Sequence, residues 1–131
     1  MKSAIDLGLT PEQFNALEKT LEAMESGQMR HVPDADTSFF NFGNEHKFSG
    51  QFNMNIWREG NKCGTVACIG GTAEILGGIV FDESTIPENL VRLFYPQDNA
   101  RDYASITVAQ AARALRNYLE TGAARWDEVL R

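Results

Sequence analysis

The stretch from Cys63 to Phe81 constrains this chain more than any other, because it holds five glycines and a single charged side chain, Glu74. A run so apolar belongs either in a bilayer or in a protein core. Five glycines and a carboxylate make a poor membrane span, so the core is the expected place. From Gly64 to Leu76 the spacing predicts a helix, with Cys63 at its start. Val66, Ile69, Ala73 and Leu76 form one stripe, Cys68, Thr72 and Ile75 a second, and Ala67 with Gly71 a third surface of small residues. A helix apolar nearly all round sits at the centre of a fold. Each interior glycine costs roughly 1 kcal/mol against alanine, which implies another backbone or a ligand passing close by. Gly77-Gly78 then ends the helix.

Three more helices are expected around it. Thr10-Pro11-Glu12-Gln13 reads as a capping box with proline at the first helical position, and Phe14, Leu17, Leu21 and Met24 continue the apolar stripe to Gly27. This places a helix near Thr10 to Ser26. Pro87 opens a short one before Leu90, Leu93 and Phe94, ending near Tyr95. Thr107 and Gln110 form a second capping box, and Val108, Ala111, Leu115, Tyr118 and Leu119 carry the buried face to Thr121 before Gly122. Between Gln28 and Asn61 the helical period is lost. That long irregular segment carries six large aromatics, Phe39, Phe40, Phe42, Phe48, Phe52 and Trp57, which pin it to a core, and it has room for a short strand pair or a helical turn around Gln51 to Arg58. The expected fold is therefore mainly α, a small helical bundle of one domain over residues 1–131 around the glycine-rich helix, with Trp57 and Trp126 as buried anchors.

The length suits one domain able to bury a core without metal or disulfide staples, and 43% hydrophobic with 23% charged residues is a globular balance. The net charge of −6 is spread evenly along the chain. A phosphate-tracking groove needs clustered Lys and Arg, so no nucleic acid is expected as a partner, and acidic membrane surfaces are disfavoured for the same reason. The first residues lack a secretory signal's apolar run, and two cysteines make no disulfide framework, which points to a reducing cytoplasm.

Cys63 is the candidate nucleophile. At a helix start its thiol would meet free N–H groups and the positive dipole end, both favouring a thiolate. The bases available are His31 and His46, with His46 the weak candidate partner. The competing reading makes Cys63 a cap or packing residue and Cys68 a small core hydrophobe. On this placement thiol reagents should reach Cys63 well before Cys68. Cys63, Cys68, His31 and His46 lack zinc-finger spacing, and the run from Asp34 to Glu45 mimics calcium-loop ligands but has Phe39 where glycine is required, so neither metal nor cofactor is expected.

Phe52-x-Met54-x-x-Trp57, Cys63-Gly64-Thr65-x-x-Cys68-Ile69-x-Gly71, Leu93-Phe94, Ile106-Thr107-x-x-Gln110-Ala111 and Gly122 with Trp126 together resemble a set of short bacterial and phage proteins over roughly the last sixty per cent of the chain. Those relatives often carry histidine where this chain has Thr72, which counts against a base or ligand on that helix here. The resemblance implies no activity. The favoured reading is a small binding or regulatory domain acting through contact with another protein or a second copy of itself. Trp57, Gly64, Thr65 and Gly71 are its candidate binding residues. A cysteine-dependent enzyme or thiol sensor at Cys63 and a small-molecule-binding module are the alternatives.

Overall fold

The computed structural model describes residues 1–35, 47–61, 64–96 and 102–130. Three of the four expected helices are present. α2 (Pro11–Glu25), α4 (Glu88–Phe94) and α5 (Val108–Thr121) begin and end within a residue or so of their predicted bounds. Both capping boxes form, with Gln13 N–H on Thr10 Oγ1 and Gln110 N–H on Thr107 Oγ1, each at 3.1 Å. Two single-turn helices, α1 (Ala4–Leu7) and α6 (Trp126–Val129), flank this set, and a 3-10 turn covers Tyr103–Ser105.

The expectation of a mainly α bundle is overturned. Among the described residues six α-helices share the core with a four-stranded mixed sheet. Its strands are β1 (Arg30–His31), β2 (Gln51–Phe52), β3 (Arg58–Asn61) and β4 (Gly64–Ala67), in the order β1-β2-β4-β3. The first four residues of the predicted central helix are β4. Helix α3 starts only at Ile69 and runs to Gly77, with Cys68 as its N-cap. Gly64 sits at φ +127°, a value no helix accepts and few side chains tolerate. Thr65 and Val66 are β-branched and pair with Gly60 and Glu59 across an antiparallel ladder. All four residues of β4 are buried, so the alternation that would reveal a half-exposed strand is missing, and an apolar run of four fits either period.

Parallel pairing joins β1 to β2 and β2 to β4, with Arg30 N–H on Gly50 O at 2.7 Å and Asn53 N–H on Ala67 O at 3.1 Å extending the ladders. Helix α2 packs on α3 and on α5, and α5 also receives α4 and α6. The contact between α2 and α3 is close because a Cβ on Gly77 would lie 2.5 Å from Ala16 Cβ. Leu17, Phe52, Ile69, Leu90, Leu93, Phe94, Leu115 and Leu119 fill the core between helices and sheet. No helix among the described residues is long and apolar enough to cross a membrane.

Candidate functional site

Trp57 and Gly71 are the two candidate binding residues that the fold brings together. The hairpin ladder continues one pair beyond β3, with Cys68 N–H donating to Trp57 O at 3.2 Å, which lays the Trp57 peptide on the first turn of α3. A Cβ on Gly71 would overlap that carbonyl, and one on Gly70 would overlap the indole ring. The backbone that the interior glycines imply is therefore that of Trp57. Its ring is half-buried, edge-on to Phe94 with centroids 5.3 Å apart and stacked beside Tyr95 at 6.1 Å.

The indole ends on Glu74. Trp57 Nε1 donates to Glu74 Oε1 at 2.7 Å, Arg58 Nε stands 3.4 Å from the same oxygen, and the Phe81 N–H donates to Oε2 at 2.7 Å. Glu74 itself is only 3% exposed. A buried carboxylate is tolerable when both oxygens are met by donors and a cation, as here. Its backbone carbonyl also accepts from Gly78 and Ile79, closing the end of α3. Sequence reasoning used Glu74 only to argue against a membrane span. Part of the signal that could have found its role was in view, since a lone charge in a run of buried residues needs partners, and Trp57, Arg58 and Lys62 are the upstream donors within reach in the sequence.

Gly64 and Thr65 belong to a different polar cluster. Thr65 N–H donates to Ser49 Oγ at 2.9 Å, the Ser49 hydroxyl donates to Thr65 O, and Gln51 Nε2 reaches the same carbonyl at 3.4 Å. A Cβ on Gly64 would collide with Ser49. Thr65 Oγ1 is buried without a hydrogen-bond partner among the described residues. Cys63 and His46, the candidate nucleophile and base, lie outside the described residues, as does the calcium-like run from Asp36 onward. His31 is described, and its Nε2 lies 2.7 Å from Ala104 O, tying β1 to the 3-10 turn.

The helix-start position assigned to Cys63 is filled by Cys68. Its Sγ accepts the Gly71 N–H at 3.5 Å and lies 3.7 Å from Trp57 O, to which the thiol donates. Burial nevertheless dominates, pushing the Cys68 thiol up to about 12 despite the amides that favour its thiolate. Cys68 is thus a protonated cap. Glu74 is 3% exposed and has a donor on each oxygen, so its carboxylate is engaged in holding the structure together. Among the described residues no three His, Cys, Asp or Glu side chains gather as a metal site. Comparisons with protein-family models, with curated proteins and with solved structures returned no match.

Proposed function

We propose that the protein is a small cytoplasmic binding or regulatory domain that works through contact with another protein or a second copy of itself, and that nucleic acid is not its partner. One observation supports this reading above others: the surface segment from Ile75 to Val80 carries no polar side chain. Val80 is 74% exposed, Ile75 is half-buried, and Leu76 and Ile79 are half-buried with part of each side chain on the core, with only glycines between them. Single exposed aliphatics are ordinary, whereas a continuous apolar segment rimmed by charge, here Asp82 and Glu83, is the pattern of a contact surface. The segment is also held in place at its middle by the Glu74 carbonyl on Gly78 and Ile79 and just past its end by the Glu74 carboxylate on Phe81. A preordered apolar surface loses little entropy on association. The space beside the interior glycines is taken by Trp57, which leaves less support for a small-molecule site there.

A photo-crosslinking residue at position 80, with one at the exposed position 120 as control, tests the proposal in cells producing the protein. A discrete protein adduct from position 80 alone is expected. The same pattern from both positions, or none from position 80, would remove the reading.

A further inference from the structure

We infer that Glu74 is a latch that holds the 75–80 segment in its displayed position and couples it to Trp57; the functional meaning of this latch rests on reading that segment as a contact surface. Among the described residues the Glu74 side chain is bonded to both elements. Its Oε1 faces the Trp57 indole and Arg58, and its Oε2 faces the Phe81 N–H, so the two oxygens of one carboxylate join the start of β3 to the far end of the apolar segment. The Phe81 ring is buried against Phe94 with centroids 5.0 Å apart, and Trp57 meets the same Phe94 from another side.

This arrangement makes the two bonds interdependent. A carboxylate this deep has no bulk water to replace a lost donor, so releasing Phe81 alone leaves a charged oxygen buried and short of partners. Rotating Glu74 toward solvent satisfies it but breaks the indole bond at the same time. The Phe81 amide and the Trp57 indole therefore open in one event. Val80 stays displayed while Trp57 stays seated on Gly70 and Gly71, and whatever lifts the indole together with Glu74 releases the Phe81 end of the segment, its start remaining in α3. In this fold, display of the contact surface is controlled from the β3 side.

Hydrogen exchange followed by NMR on the unaltered protein tests the coupling directly. Once corrected for intrinsic rates, the Phe81 amide and the Trp57 indole N–H should show protection within about fivefold of each other and the same response to low denaturant. A larger gap means they open separately and overturns the latch. In Glu74→Gln, which retains one good acceptor and gains a donor, Phe81 exchange should accelerate at least about tenfold while amides in α5 such as Leu115 and Leu119 keep their protection. Unchanged Phe81 exchange in a folded Glu74→Gln protein would show that ring burial alone holds the segment. If that variant fails to fold, the measurement on the unaltered protein decides. Neither readout involves a partner, so a negative crosslink at position 80 removes the contact surface without touching the latch, and separate opening removes the latch without touching the contact surface.

Discussion

The two tryptophans bind the fold together in opposite ways. Trp126 is 3% exposed and its indole donates to two backbone carbonyls, Arg92 O and Leu93 O, both at 3.1 Å, at the end of α4. Those are carbonyls that a helix end leaves without an internal partner, so Trp126 acts as a distant C-cap as well as an apolar plug. Trp57 is half-buried, rests its backbone on glycines, and points its indole at a charge. Burial carries the first anchor and polar wiring the second. Exposure alone is therefore a poor guide to which tryptophan a local structure depends on.

The largest effect that would test this contrast is expected from Trp126→Ala. Emptying a fully buried tryptophan site should cost about 3–5 kcal/mol in chemical denaturation, and a loss below about 1 kcal/mol would mean the C-terminal clasp is not part of the cooperative unit. Gly71→Ala comes next, at about 3 kcal/mol, because the added methyl meets the Trp57 carbonyl, a backbone atom that cannot rotate away. Gly78→Ala is its control. Gly78 has φ +63° and open space around it, so only the left-handed backbone is penalised, by about 1 kcal/mol. Equal losses at the two positions would erase the distinction between a glycine kept for contact and one kept for conformation.

Phenylalanine substitutions sharpen the comparison by removing each indole N–H while keeping a ring. Trp57→Phe takes a donor from a buried carboxylate and should cost about 1.5–3 kcal/mol, whereas Trp126→Phe takes one from neutral carbonyls and should cost about 1 kcal/mol. Melting both variants beside the parent gives the order, and the reverse ranking would make burial the better guide after all. The smallest effect lies away from both anchors, at the exposed pair of Arg116 with Glu25, where Arg116 Nε meets Glu25 Oε2 at 2.8 Å. The hydrogen bond from Arg116, aided by its charge, holds the Glu25 carboxyl below its ordinary 4.5. A lowered folded value stabilises above the unfolded value and fades as pH falls through the folded one. Glu25→Gln should therefore lose a few tenths of a kcal/mol at pH 7 and nothing once both carboxyl states are protonated, as parallel melts at pH 7 and in acid would read.

What the sequence disclosed follows the same division. Helices α2 and α5 were legible because Thr10 and Thr107 advertise their starts with capping boxes and a long amphipathic stripe follows each. Trp126 as an anchor was legible because Val129 and Leu130 follow it at helical spacing after the Gly122 stop. The sheet was hidden, since β1 and β2 are two residues long and β4 is buried throughout, leaving no period to detect. Carrying the helical stripe back through Gly64 to Ala67 gave Cys63 the helix-start role that Cys68 holds and put the helix start five residues early. Gly71 did announce a close neighbour. Which neighbour depended on a turn from β3 into β4, a tertiary fact that no local spacing encodes.

The passage from β4 to α3 through Cys68 alone also bears on the order of folding. Hairpin β3–β4 and helix α3 occupy one short run of chain, and Trp57 touches Gly70 and Gly71 within it, so this unit forms by closing small loops. The parallel pairing of β1 on β2, Arg30 with Gln51 and His31 with Phe52, joins segments farther apart in sequence and closes a longer loop. Conservative truncations inside the unit, such as Val66→Ala, should then slow refolding in proportion to the stability lost, while Met29→Ala beside β1 should act mainly by speeding unfolding. A glycine pair kept for one tryptophan, Gly71 for its carbonyl and Gly70 for its ring, would thus also bear on where the chain begins to fold.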